Sequence, residues 1–322
     1  MGIYDLSNEM VIGIDIGGTN TKYGLVNHRG QIFDKGDIKT DGYATIEEYV
    51  DALHSAIYPL IQKFEKNYQL KGIGVGAPNG NYYTGSIEYA PNLPWKGTLE
   101  IANLISKKFG VPCTLTNDAN AAAMGEMMYG AARGKKDFIM ITLGTGVGSG
   151  IVCNGQVVYG HDGFAGELGH VIVRPGGRKH YSTGAHGSLE AYCSATGITV
   201  TAKKLRAENP DSILNDIPEE QVDSKSVFDA AEKGDTVAKE VFRYTGQILG
   251  EALANFIMFS SPEVIVLFGG VIKAGDYIMK PTREHMEKNL LPIFQNKVKL
   301  VFSELKEADA AILGASALVW EQ

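Results

Sequence analysis

The sequence predicts an α/β fold, and three observations predict it. Apolar runs of strand length alternate with longer stretches of helical periodicity, the pattern that layers helices on a sheet. A unit of strand, glycine turn and strand at residues 11–26 recurs at 138–153, which reads as an internal duplication. Glycine stands at 39 of 322 residues, where ordinary usage gives about 23, and many of these follow apolar runs, where tight turns or close backbone approach need them.

The elements follow in order. Val11–Ile16 is a buried strand that breaks at Gly17-Gly18-Thr19-Asn20, and Tyr23–Val26 returns from it as a hairpin. A third strand fits 31–38. Residues 45–66 carry Ile46, Tyr49, Val50, Leu53, Ile57, Leu60 and Ile61 at helical spacing. A strand at 72–76 precedes a loop of Gly, Asn and Pro, followed by a helix at 99–109, a strand at 113–116 and an Ala-rich helix at 118–129. The pattern then restarts: strand 138–143, Gly144-Thr145-Gly146-Val147-Gly148-Ser149-Gly150, strand 151–153 and a turn at Asn154-Gly155. Helices are expected at 189–206, 226–232 and 236–259, a strand at 264–268 ending in Gly269-Gly270, and a closing helix from 309.

Composition sets outer limits. Apolar residues at 44% and charged residues at 21% suit a packed chain, and its length suits about two domains. A net charge of −7 without a basic block argues against nucleic acid or an anionic membrane as partner. No apolar run approaches the roughly 20 residues of a spanning helix. The start carries Asp5 and Glu9, unlike a signal peptide, and Leu6 stands where a myristoylation signal has Ser or Thr. Cys113, Cys153 and Cys193 form no disulfide or zinc-ribbon spacing. The expectation is a cytoplasmic protein.

Two glycine turns after core strands suit phosphate, because backbone N–H groups without a neighbouring Cβ approach its oxygens closely. Either turn alone reads equally as a ligand-free hairpin; the pair favours a nucleotide. Neither a P-loop nor a dinucleotide fingerprint is present. Asp15, beside the first turn, is the residue to hold Mg²⁺ directly or through water, with a turn-capping role as the plainer alternative. Thr19 and Thr145 offer hydroxyls. Asp118 reads first as a helix N-cap and second as a general base at the C-terminal edge of a sheet. Gly166-Glu167-Leu168-Gly169-His170 has little to bury and reads as a site loop. Glu167, His170 and Glu190, with the amide of Asn92, suit a ligand covered in hydroxyls.

With these motifs in order, the chain resembles the ROK family of bacterial sugar kinases, open-reading frames and repressors. The likeness runs through Asp15-Ile-Gly-Gly-Thr19, Pro91-Asn92-Leu93, Asn117-Asp118-Ala-Asn120, Leu143–Gly150, Gly166–His170, Leu189-Glu190, Gly269-Gly270 and Ala311–Ala315. The resemblance implies an actin-like ATPase (ribonuclease H-like) fold with two similar domains around a central cleft. One domain is expected at 1–118 with the C-terminal helix at 309–322. The other, at 119–308, is expected to carry the sugar loops and the oligomer surface. It implies transfer of the γ-phosphate of Mg-ATP to the 6-hydroxyl of a hexose, glucose first, with N-acetylmannosamine, N-acetylglucosamine or fructose as alternatives. Asp118 then matches the catalytic base, and Asn92, Asn117, Asp118, Glu167, His170 and Glu190 match sugar-binding positions. Asp15, Gly17, Gly18, Thr19, Gly144, Thr145, Gly146, Gly269 and Gly270 match nucleotide positions. A homodimer or homotetramer is implied. A sugar-sensing transcriptional regulator is disfavoured, because only ten residues precede the first strand.

The chain departs from the family at one point. Many members carry Cys-x-Cys-Gly-x-x-Gly-Cys-x-Glu, a zinc motif ending at the sugar-binding Glu. Aligned on Glu190, the three cysteine positions are Tyr181, Thr183 and Ser188. His170 alone cannot hold structural zinc, which wants four ligands, and His180 and His186 fit the spacing poorly. No structural zinc is expected.

Overall fold

A computed structural model describes residues 8–320. Asp5 and Leu6 of the N-terminal reading lie outside the described residues, as do the last two positions of segment 309–322. The chain runs β1 (Glu9–Ile16), β2 (Asn20–Asn27), β3 (Ile32–Lys39), α1 (Ile46–Phe64), β4 (Gln69–Ala77), β5 (Gly80–Asn81), β6 (Ser86–Glu88), β7 (Thr98–Leu99), α2 (Ile101–Phe109), β8 (Cys113–Asn117) and α3 (Asp118–Tyr129). It continues as β9 (Phe138–Leu143), β10 (Val147–Cys153), β11 (Gln156–Val157), α4 (Glu190–Cys193), α5 (Ala195–Ala207), α6 (Ser224–Glu232), α7 (Thr236–Ser260), β12 (Val264–Phe268), α8 (Asp276–Asn289), β13 (Lys299–Phe302) and α9 (Glu307–Trp320).

Two five-stranded sheets share one topology. The first has the order β3-β2-β1-β4-β8 and the second β11-β10-β9-β12-β13. In the first, a β1–β2–β3 antiparallel meander is extended by parallel β4 and β8. In the second, β12 and β13 likewise add in parallel to β9. The repeated strand and glycine pattern of the sequence is thus a repeated sheet.

The described chain parts into two compact units. One holds the residues up to Lys136, Gly150–Gly166 and the chain from Glu304; the other holds Asp137–Ser149 and Glu167–Ser303. In the first, the two-residue period of β1 sorts its side chains to opposite faces. Ile12 and Ile14 join Tyr49, Leu53 and Ile57 of α1 in one cluster, while Val11 joins Ile312 and Val319 of α9 in another. Gly13 and Gly74 face α9. A Cβ on either would lie 2.1 Å from the Ile312 carbonyl oxygen and 1.8 Å from that of Ala315, respectively. Those strand glycines therefore serve close helix–sheet packing.

In the second unit α7 is the spine, burying Phe242, Ile248, Leu249, Leu253 and Ile257. α8 crosses it at Gly246 and Gly250, where a Cβ would lie 2.6 Å from Pro281 Cγ and 2.3 Å from the Thr282 carbonyl oxygen. The expected helix 189–206 is two helices. Ser194 is extended between them, and its hydroxyl accepts from Gly197 N. No described helix is long and apolar enough to cross a membrane.

Candidate active site

In the first unit, Gly17 N donates to the Asn20 carbonyl at 3.0 Å and closes the β1–β2 turn. A Cβ on Gly18 would come within 2.8 Å of the Asn92 carbonyl oxygen, so this turn and the Pro91-Asn92-Leu93 loop pack together. Thr19 and Asn92 are exposed. Asp15 stands near the end of β1, opposite Lys22 in register. Its carboxyl is pushed up to about 6, first by burial and then by the charge of Asp118, with Lys22 opposing.

The structure corrects the capping assignment. β8 continues through Asn117, which pairs with Ala77. Asn117 is extended, and its Oδ1 accepts from Asn120 N at 2.7 Å. Asn117 is therefore the N-cap of α3, and Asp118 is the first helical residue. One oxygen of Asp118 accepts from Ala119 N at 2.8 Å. Its side chain keeps solvent access, yet the protein around it desolvates the carboxyl and raises its pKa, opposed by the backbone N–H groups of Ala119 and Asp118 itself. The Asn117 cap uses Oδ1, not Nδ2.

In the second unit, Gly144 N donates to the Gly146 carbonyl at 3.0 Å, and Gly148 N donates to Thr142 Oγ1 at 3.0 Å. The glycines of this region divide into two kinds. Gly269 has a φ of 105°, and a Cβ there would lie 2.5 Å from the Leu143 carbonyl oxygen, so the fold itself demands glycine. Gly144 and Gly270 are not in the left-handed region, and a Cβ on either meets nothing within 4 Å. Both line a cavity of about 550 Å³ with Thr145, Phe228, Asp229 and Phe242. Its size and its apolar walls with a few polar groups suit a small-molecule site. The α6 residues Lys225, Phe228 and Asp229 were not singled out from sequence, since no short motif marks that helix.

Val147 gathers the polar residues of this unit. Its N–H donates to Glu190 Oε2 at 2.6 Å, and a Cβ on Gly169 would lie 2.0 Å from its carbonyl oxygen. Leu168 N donates to Ser149 Oγ at 3.1 Å. The Leu168–His170 3₁₀ turn therefore rests on the start of β10 beside the Glu190 carboxylate. His170 Nε2 lies 3.8 Å from Glu167 Oε2, and both side chains are exposed. Glu190 is buried and also accepts from His180 Nε2 at 2.5 Å.

The zinc-motif positions offer no thiolate. Tyr181 is 59% exposed, Ser188 is buried, and Cys113, Cys153 and Cys193 lie elsewhere in the chain. A phenol and two hydroxyls at the three motif positions do not fit a structural zinc ion.

The family model described as ROK family matches residues 11–322. The chain belongs to the ROK family. A glucokinase of Halalkalibacterium halodurans is 38% identical to this ROK protein over 324 residues, covering 98% of this chain and 97% of that protein. A glucokinase of Thermotoga maritima is 33% identical over 315 residues, covering 97% and 98%. The solved ROK family glucokinase of Streptomyces griseus, in complex with glucose and AMPPNP, is 29% identical with a TM-score of 0.78, covering 97% of this chain and 100% of that one. The ROK protein has the actin-like ATPase fold, and its doubled β3-β2-β1-β4-β8 sheet order is that fold's repeated half.

Proposed function

We propose that this ROK protein is an ATP-dependent hexose kinase that transfers the γ-phosphate of Mg-ATP to the 6-hydroxyl of glucose. One observation carries the phosphotransfer chemistry. The α3 cap is Asn117, which releases Asp118 from capping and leaves its raised-pKa carboxylate, at a strand end, for work as a base. Similarity to two named glucokinases along the whole chain supports glucose as the acceptor.

Asp118 accepts the proton of the 6-hydroxyl as that oxygen attacks the γ-phosphorus. Asn92, Asn117, Glu167, His170 and Glu190 bind the sugar's other hydroxyls. Carboxylates take the O–H donors and the amides and imidazole answer the lone pairs, which fixes the pyranose for in-line attack. Gly17, Gly18 and Thr19, with Gly144, Thr145 and Gly146, present N–H and O–H donors to phosphate oxygens. The cavity beside Gly269 and Gly270 takes the nucleoside. Asp15 suits Mg²⁺, since a desolvated carboxyl raised to about 6 beside a second carboxylate gains from a cation. Bound there, the ion supplies charge neutralisation on the phosphates.

A coupled ADP-release assay across glucose, mannose, fructose, N-acetylglucosamine and N-acetylmannosamine tests this. Glucose should give the highest kcat/KM, and glucose-6-phosphate dehydrogenase should accept the product. ADP release indifferent to added sugar would sink the kinase reading, and preference for an N-acetylhexosamine would move the substrate.

A further inference from the structure

The loop before Glu190 is held by a closed set of hydrogen bonds. Val173 and Arg174 N–H groups donate to the Gly187 carbonyl at 2.8 and 3.0 Å, Gly187 N to the Arg178 carbonyl at 2.8 Å, and His180 N to the Ala185 carbonyl at 2.7 Å. Gly187, at φ 82°, is obligatory, because a Cβ there would lie 1.7 Å from the Arg174 carbonyl oxygen. Arg178 ties the loop to the helices beyond. Its guanidinium donates to the Ala191 and Gly197 carbonyls at 2.7 and 2.9 Å and to Thr201 Oγ1 at 2.9 Å, stacked 4.6 Å from the Tyr192 ring centroid.

His180 sits at the turn of this loop and is 1% exposed, although neighbouring Tyr181 is open to solvent. Its Nδ1 accepts from Ser182 N at 3.3 Å and Thr183 N at 3.1 Å. Backbone N–H groups can only donate, so Nδ1 must carry a lone pair, and the ring proton belongs on Nε2. That N–H faces Glu190 Oε1 at 2.5 Å, while Val147 N holds Oε2 at 2.6 Å. Each carboxylate oxygen thus has one fixed donor, which sets the plane of the group and leaves further lone pairs for incoming hydroxyls.

We infer that His180, as its Nε2-protonated neutral tautomer, is a positioning residue that orients the Glu190 carboxylate toward the sugar, and that with Arg178 it replaces the anchoring a zinc ion gives where the loop carries three cysteines. The inference rests on the reading of Glu190 as a sugar ligand. It predicts a defect confined to the sugar. His180→Phe, which keeps the ring but neither nitrogen, should raise the glucose Kd and KM about 10- to 100-fold, the range for a lost charge-assisted hydrogen bond. The KM for ATP and kcat at saturating glucose should stay within a few-fold. His180→Gln, with an N–H donor near the place of Nε2, should recover part of the affinity.

The test is glucose titration calorimetry with steady-state kinetics on wild type, His180→Phe, His180→Gln and Glu190→Gln, beside two-bond ¹H–¹⁵N spectra of the wild-type imidazoles. The inference is supported by a sugar-only defect in His180→Phe, partial rescue by Gln, and an Nε2-protonated spectrum. Normal glucose affinity in His180→Phe with loss in Glu190→Gln overturns it and leaves the sugar role of Glu190 standing. Normal affinity in Glu190→Gln overturns it together with that role. Should His180→Phe fail to fold, a spectrum showing Nδ1 protonation, or glucose affinity lost on dialysis against a zinc chelator, overturns it without the variant.

Discussion

The charge of Asp118 is felt at Asp15: together with burial, it holds the Asp15 carboxyl up at about 6. Ionising Asp15 in the folded protein therefore costs free energy that the unfolded chain does not pay. A folded pKa near 6 against 3.8 corresponds to at most about 3 kcal/mol. The folded state binds this proton more tightly, so stability is full below the unfolded value and falls as pH rises through about 6. Asp15→Asn should accordingly raise the thermal midpoint of the ligand-free protein at pH 7.5, and the gain should shrink on acidification and vanish below about pH 4. On the proposed role of Asp15 as the carboxylate for a cation at the phosphates, the same variant should lose activity. Melting curves from pH 4 to 8 check both the sign and the window.

Two neighbouring glycines should fail toward different substrates. A Cβ on Gly144 meets nothing within 4 Å, so Gly144→Ala should leave stability within about 0.5 kcal/mol of wild type. On the proposed role of this turn in phosphate binding, it should raise the KM for ATP at least about tenfold. A Cβ on Gly146 would lie 2.5 Å from Glu190 Oε2, and that oxygen is pinned by Val147 N. Gly146→Ala should therefore push the carboxylate aside and raise the KM for glucose. Steady-state kinetics with each substrate varied separate the two.

The corrected cap makes the capping role of Asn117 separable from its proposed sugar-binding role. Asn117→Ala removes the acceptor for Asn120 N and should cost about 1 kcal/mol of stability. Asn117→Asp keeps the cap but removes Nδ2. It should therefore fold as well as wild type and bind glucose more weakly. Chemical denaturation and glucose titration on the pair give the two numbers.

These sites differ in how far sequence revealed them. The glycine turns at 17–20 and 144–146 were legible because glycines directly after an apolar run mark a turn, and the helix at 236–259 because its apolar residues, Val237, Val241, Ile248, Leu249, Leu253 and Ile257, keep to one face. α8 was not legible: it is rich in charge, contains Pro281, and buries only Ile278, Met279, Thr282 and Met286, in part through close approach to Gly246 and Gly250 of a helix distant in sequence. The break at Ser194 was hidden for a similar reason, since an extended serine between two helical stretches reads as one helix until its hydroxyl is seen capping Gly197. At the site, Asp118 was placed at the start of α3, but Asn117 beside it has equal capping chemistry, and only the strand's extra residue decides between them. The sequence offers His180 only as a poor zinc substitute. Its role depends on backbone N–H groups of its own turn, which leave no trace in residue types.

Asp118 carries the central claim, and the direct measurement is turnover of Asp118→Ala with glucose and Mg-ATP beside calorimetric glucose binding. A general base supplies about 10²- to 10⁴-fold, so kcat should fall at least that much while the glucose Kd stays within a few-fold of wild type. An Asp118→Ala protein that phosphorylates glucose at a near-normal rate would contradict the account.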